Sequence, residues 1–261
     1  MKKRPAAVAG LFYDDDPGKL QAHVDALLAK APADERHPPP RALIVPHAGY
    51  VYSGATAALA YQRLRSLGRQ IRRVALFGPA HRVYLQGVAV PQVDAFCTPL
   101  GDVPLDTAAI EHIAGMDHVA CSDEAHRQEH SLEVQLPFLQ TVLEDFTLVP
   151  VVVGQGKPEW VAPIMEYLWE DPDTLLLVSS DLSHFHPYEE ARQLDTLTCE
   201  RLLARESSLV GEEACGAQAL NGLMSTRLGR SLDMELVGMC NSGDTAGDKN
   251  RVVGYGAFSL H

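Results

Sequence analysis

Apolar positions along this chain gather into short unbroken runs, separated by longer stretches in which apolar residues recur with helical period. Ala42 to Val45 (ALIV), Arg72 to Gly78 (RRVALFG), Phe146 to Val153 and Thr174 to Ser180 (TLLLVSS) show no apolar–polar alternation. They have the pattern of strands buried on both faces, as in the middle of a parallel sheet. Helices are expected between them. Asp16-Pro17 offers a cap and a first-turn proline for a helix to about Lys30, and Ser53 or Gly54 opens another through Arg65. Asp106 and Gly115 bracket a short helix, and Glu129 to Leu143 has helical period, with Pro137 marking a kink or an early boundary. Pro158 to Glu170, Glu189 to Arg205 and Glu212 to Leu228 complete the set. APADERHPPP, residues 31–40, reads as a surface linker, and Val83 to Pro104 as pieces of a hairpin or sheet edge. Strands near Leu232 to Met239 and Arg251 to Ser259 close the chain. Strands alternating with helices predict a three-layer α/β/α sandwich, with residues 1–261 forming a single domain.

Charge narrows the choice of partner. Lys and Arg number 22 against 34 Asp and Glu, a formal charge of −12. That balance disfavours nucleic acid and anionic membrane surfaces and is compatible with attraction of small cations. The opening Met1-Lys2-Lys3-Arg4 is like the start of a signal peptide, yet no apolar segment follows before Asp14, so a cytoplasmic, soluble protein is expected. The five cysteines are widely spaced with no CxxC pair, which argues against a disulfide frame or a zinc ribbon.

Chemistry is concentrated where the apolar runs end. The first stops at a proline and delivers His47 into a glycine-broken turn, the second runs into GPAHR with His81, and TLLLVSS empties into Asp181-Leu182-Ser183-His184-Phe185-His186. In open α/β sheets ligands collect outside the carboxyl ends of the strands. If these strands are parallel neighbours, His47, His81, Asp181 and His184 meet at one sheet edge, and imidazoles with a carboxylate or thiolate suit a first-row transition metal. A neutral His184 is a candidate proton carrier, with Asp181 orienting it; alternatively Asp181 and Ser183 cap the next helix. Glu129, His130 and Glu133 are further titratable groups that would support the ligands, unless Ser131 and its neighbours merely cap a helix. Cys215 lies near an expected helix start, where a thiolate would be favoured, although a buried inert cysteine is the ordinary outcome. Tyr50 and Tyr52 either wall a pocket or pack the core.

Taken together and in order, PHAGYVYSG, LFGPAHR, EHSLEVQLPFL, VSSDLSH and the ACG turn resemble the Memo family across nearly the whole chain. The resemblance implies a fold shared with class III extradiol dioxygenases, which hold non-haem Fe(II) by two histidines and a carboxylate and cleave aromatic diols. Leu182-Ser183-His184 is similar to the segment that supplies their acid/base histidine. By position, the metal ligands implied are His47, His81 and Cys215, with Asp181 and His184 beside the open coordination sites. A cysteine in place of the carboxylate is a softer, oxidisable donor that shifts preference from iron toward copper or zinc. His81 is followed by Arg82 where many relatives show a second histidine, and His186 is the residue that would compensate. Prokaryotic members resemble protein B of the AmmeMemoRadiSam system, encoded beside a radical-SAM protein, which implies protein partners in a multi-protein pathway.

The function expected is a metal-dependent redox protein, dioxygenase-like, that binds Fe(II) or copper and a small-molecule substrate. Two other classes stay open. One is a non-catalytic module binding a peptide or phosphopeptide, implied by relatives linked to receptor signalling. The other is a zinc hydrolase using the same ligands to activate water.

Overall fold

A computed structural model of the chain describes residues 1–33, 38–65 and 71–261. Part of the expected linker, residues 34–37, lies outside them.

The chain opens with β1 (Lys3–Arg4), α1 (Pro17–Lys30), β2 (Ala42–Val45), α2 (Tyr50–Arg65) and β3 (Arg73–Pro79). Three short strands follow, β4 (Val88–Val90), β5 (Ala95–Thr98) and β6 (Gly101–Pro104), then α3 (Thr107–Ala114), β7 (Val119–Cys121) and α4 (Asp123–Arg127). A 3-10 turn at Glu133–Gln135 leads into α5 (Leu136–Val142), followed by β8 (Thr147–Val153), α6 (Pro158–Trp169), β9 (Thr174–Ser179), β10 (His184–His186) and α7 (Tyr188–Leu203). The end is α8 (Ala217–Ser225), α9 (Arg227–Ser231), β11 (Met234–Asn241) and β12 (Val252–Leu260).

Caps were the reliable signals. Asp16 accepts from the Lys19 amide at 2.8 Å and Asp106 from the Ala109 amide at 3.0 Å, so α1 and α3 begin where an acceptor satisfies an otherwise orphaned donor. Three boundaries differ from expectation. The α2 helix starts a turn early, because the Gly49 carbonyl already accepts from Ser53, and its Gly54 is there for packing: a Cβ would meet Leu27 of α1 at 2.9 Å. Of the two outcomes expected at Pro137 it marks a boundary and not a kink: the helix expected from Glu129 begins only at Leu136, and Pro137 sits in the first turn of α5, where no amide is needed. The expected Glu212 to Leu228 helix is shorter, since Glu213 accepts from the Val210 amide and pairs with Arg201, holding a turn, and α8 begins only at Ala217.

The main sheet runs β10-β12-β2-β9-β3-β8-β4-β7, with β11 also paired to β12. Its centre, β2-β9-β3-β8, is parallel, and Val45 lies opposite Ser179 while Phe77 lies opposite Val178. The carboxyl ends of β2, β9 and β3 therefore stop level with one another. Helices cover both faces: on β11, Cys240 contacts Thr56 of α2 at 3.0 Å, whereas its neighbour Met239 contacts Cys199 of α7 at 3.6 Å. Successive strand residues point to opposite faces, so the sheet separates these two helices. This is a mixed α/β arrangement of the sandwich type.

A smaller sheet, β1-β5-β6, ties the N-terminus to the middle of the chain. The tie is reinforced by Glu133, which is fully buried and accepts from Arg4 at 2.6 Å, the Ala7 and Val8 amides at 2.8 and 3.0 Å, and the Tyr13 hydroxyl at 2.6 Å. Burial of a charge is tolerable only with such complete pairing. Glu133→Ala strands Arg4 as an uncompensated buried cation and is expected to lower unfolding free energy by about 3–5 kcal/mol in urea denaturation; a loss below about 1 kcal/mol, the scale of an exposed pair, would refute this role.

Candidate metal centre

His47 follows β2 through Pro46, His81 follows β3, and Asp181 follows β9, on three adjacent parallel strands. His130 joins them from the loop before the 3-10 turn. Potential ligand atoms of His47, His81 and His130 lie within 4.8 Å of one another. The rings touch: His81 stacks on His130 at 4.6 Å between centroids, and His47 meets His81 and His130 edge-on at 5.1 and 5.5 Å.

Two of these imidazoles have their tautomers fixed by the protein. Gln135 donates to the Pro46 carbonyl, an obligate acceptor, and to Ser179 Oγ, both at 2.9 Å, while its carbonyl accepts from the Tyr61 hydroxyl. Ser179 in turn donates to the Ser131 carbonyl at 2.6 Å. With that proton engaged, Ser179 Oγ can only accept from His47 Nδ1, 2.9 Å away, so His47 carries its proton on Nδ1 and offers a lone pair at Nε2. Glu129 does the same for His81, taking its amide at 2.6 Å and its Nδ1 at 2.9 Å. The Glu129 carboxylate also accepts the His130 and Ser131 amides at 2.9 Å. Burial alone would raise its pKa, but the contacts with His81 and the amides outweigh it and hold the group at about 2. A carboxylate behind a histidine is the usual means of presenting Nε2 to a metal.

Charge cannot accumulate here. Burial first, then the neighbouring imidazoles, drives His47 well below the usual histidine range. Burial likewise lowers His130 to about 4, against the pull of Glu129, and lowers His184. The buried Nδ1 of His130 has no hydrogen-bond partner among the described residues.

Other expected residues fall in varied places. Asp181 is buried, and burial pushes its carboxyl up to about 7; its oxygen accepts from the His47 amide at 2.8 Å. It thus positions the His47 backbone rather than His184, to which it makes no hydrogen bond among the described residues, and neither it nor Ser183 caps a helix. His184 is half-buried on the short edge strand β10, and Ser183 before it is anchored to Asp195 at 2.9 Å. His186 points elsewhere, to Glu190 at 2.9 Å. Tyr50 is a core residue, bonded to the Val134 carbonyl at 2.7 Å and packed on Phe138, because the early start of α2 turns it inward. Cys215 Sγ lies 3.3 Å from His47 Nε2 and accepts from the Asp181 amide, also at 3.3 Å. Of the two readings of Cys215 its surroundings match the buried thiol rather than the thiolate: burial, then Asp181, pushes it up. Ser179, Gln135 and Phe12, whose ring packs on His130 at 4.8 Å, were not anticipated. A glutamine inside an apolar helical stretch was the one available signal.

The donors present fit a first-row transition ion. The His47 Nε2 lone pair faces the Cys215 thiol, whose proton a cation would replace, and His130 keeps an orphaned buried nitrogen; the 3.3 Å gap between Cys215 and His47 approaches the roughly 3.5 Å between nitrogen and sulfur ligands of one tetrahedral ion.

An α/β protein with an imidazole cluster at the carboxyl ends of parallel strands is the class that fold and site define. The sequence matches the model for Memo-like protein over residues 4–259, and the chain belongs to that family. It is 36% identical over 267 residues to a MEMO1 family protein of Aquifex aeolicus, covering 98% of each chain, and 30% identical over 283 residues to one of Desulfurococcus amylolyticus, covering 100% of each. A MEMO1 family protein of Archaeoglobus fulgidus is 35% identical over 265 residues, 97% of each chain. The crystal structure of an uncharacterized Escherichia coli K12 protein superimposes with a TM-score of 0.51 at 13% identity, covering 84% of this chain and 98% of that one, a likeness of fold alone. No helix of the described residues is long and apolar enough to cross a membrane.

Neutral buried imidazoles make stability depend on pH. Below about pH 6.5 the unfolded chain protonates its histidines, whereas His130 and the buried His126 stay neutral down to about 4. The unfolded state then binds more protons, and stability falls as pH falls. Asp181, raised to about 7, and Asp195, also raised by burial, work in the opposite direction, but these two carboxyls oppose four lowered histidines, His47, His126, His130 and His184. The urea midpoint of metal-free protein should fall between pH 7 and 4.5, each histidine contributing on the order of 1.4 kcal/mol per pH unit. A flat or rising midpoint would show that the cluster is not held neutral.

Proposed function

We propose that this chain is a metal-dependent redox protein in which His47, His81 and Cys215 hold Fe(II) or copper, with His130 as an adjoining imidazole. The observation that carries the reading is the convergence of the His47, His81 and His130 imidazoles within 4.8 Å, two of them with Nδ1 committed to protein acceptors; Cys215 stands outside that group and joins it through His47 Nε2, 3.3 Å from its sulfur. An ion bound by imidazole and thiolate supplies a Lewis-acidic, redox-active centre for a small molecule with adjacent oxygen donors. The layered α/β fold with candidate ligands after parallel strands supports a likeness to class III extradiol dioxygenases.

The protein's own residues have separable parts. Glu129 and Ser179 fix which nitrogen each histidine presents. Asp181 holds the His47 backbone through its amide. His184, whose burial keeps it neutral near pH 7, takes a proton from a substrate hydroxyl at its imidazole nitrogen and returns it later. The ring of Phe12 packs on His130 at 4.8 Å and that of Phe185 meets His184 edge-on at 5.6 Å.

A zinc hydrolase is the second reading, favoured by Asp181: a buried carboxyl near 7 beside the cluster has the affinity needed to take a proton from water. The test is oxygen uptake with a catechol panel after anaerobic loading with Fe(II), copper or zinc, with ester hydrolysis followed in parallel. Oxygen uptake with iron or copper is expected, and His184→Gln should lower kcat by about 10²–10⁴ while metal content is unchanged. Hydrolysis with zinc and no oxygen uptake with any ion would overturn the redox reading.

A further inference from the structure

A cavity of about 340 Å³ opens beside the imidazole cluster, between the N-terminal segment and the loop after β3. It is contiguous with the centre through Phe12, whose ring both lines the cavity and packs on His130 at 4.8 Å. Ala7, Val8, Leu11 and Phe12 form an apolar side of the lining, facing the polar Arg82, Glu124 and Gln128, and Leu11 is exposed to the cavity mouth. The volume lies at the low end of small-molecule sites, about 300–1,000 Å³. The wall is preorganised, because Glu133 pins the Ala7 and Val8 amides.

Arg82, the residue after His81, lines the same cavity and makes no hydrogen bond or ion pair among the described residues. The carboxylate on the lining, Glu124, is paired with Arg127 at 2.7 Å. A free guanidinium is thus set against an apolar wall in a chain whose formal charge is −12. Its planar fork matches a carboxylate with two parallel hydrogen bonds, which a neutral ligand cannot reproduce.

We propose that this cavity binds a small molecule with an apolar body and a carboxylate, the carboxylate on Arg82 and the body against Leu11 and Phe12. Binding depends on these residues alone. That the molecule is a substrate rests on the reading of the adjoining histidines as a metal centre.

The test titrates 3-phenylpropanoate and its neutral counterpart 3-phenylpropan-1-ol into the full-length metal-free protein by calorimetry, using wild type, Arg82→Gln and Gln128→Glu. The acid should bind wild type at least about tenfold more tightly than the alcohol. Arg82→Gln should erase that preference, and Gln128→Glu, which sets a carboxylate on the same lining, should weaken the acid while sparing the alcohol. Equal binding of acid and alcohol, binding of neither, or a preference that survives Arg82→Gln would overturn the proposal. Repeating the titration after iron loading separates the two readings: acid binding in a protein that loads no ion upholds the cavity and removes the metal centre. Ion loading without acid binding does the reverse.

Discussion

Three imidazoles in mutual contact, one of them fully buried, cannot all be cations, and the arrangement around them follows from that constraint. Each added proton would be penalised by burial and by its neighbours, so His47 and His130 are held neutral. A neutral imidazole must still place one N–H and one lone pair. The protein provides acceptors for the Nδ1–H of His47 and His81, at Ser179 and Glu129, while His47 Nε2 meets the weakly donating Cys215 thiol. What remains is a donor set in which the proton facing His47 Nε2 is the weakly donated one of the Cys215 thiol, 3.3 Å away, which a cation would displace on binding.

The supports of this donor set are distributed over the whole chain. Glu129 binds the end of β3 to the 130s, Gln135 joins β2 to β9, and Glu133 clamps the N-terminal segment over the same region. Gly78 allows the approach: a Cβ there would meet Ser131 and Leu132 at 2.8 Å. The centre is therefore a product of tertiary pairing across more than 120 residues, and the cavity beside it shares a wall with it through Phe12.

Much of this was legible in the sequence. Uninterrupted apolar runs ending in His47, His81 and Asp181 identified buried parallel strands and the edge at which they deliver polar side chains, and that edge exists as expected. His130 is harder to place, because it follows no strand and enters through a loop held by Glu129, by Ser179 on the Ser131 carbonyl and by Ser131 on the Pro79 carbonyl. Ser179 and Gln135 were hidden by ordinary context, a serine at a strand end and a glutamine in an amphipathic stretch. Cys215 was read through the dipole of a helix that in fact begins at Ala217, and burial dominates its thiol instead. Asp181 was assigned to His184 by sequence proximity, whereas the parallel register of β2 and β9 brings it to the His47 amide.

Metal content of anaerobically purified protein bears most directly on the central claim. Elemental analysis of wild type, His47→Ala, His81→Ala and Cys215→Ala should give near-stoichiometric iron or copper in wild type and its loss in all three variants, each still folded by circular dichroism. A wild-type protein that is folded, free of metal and unable to take up iron, copper or zinc would contradict the account.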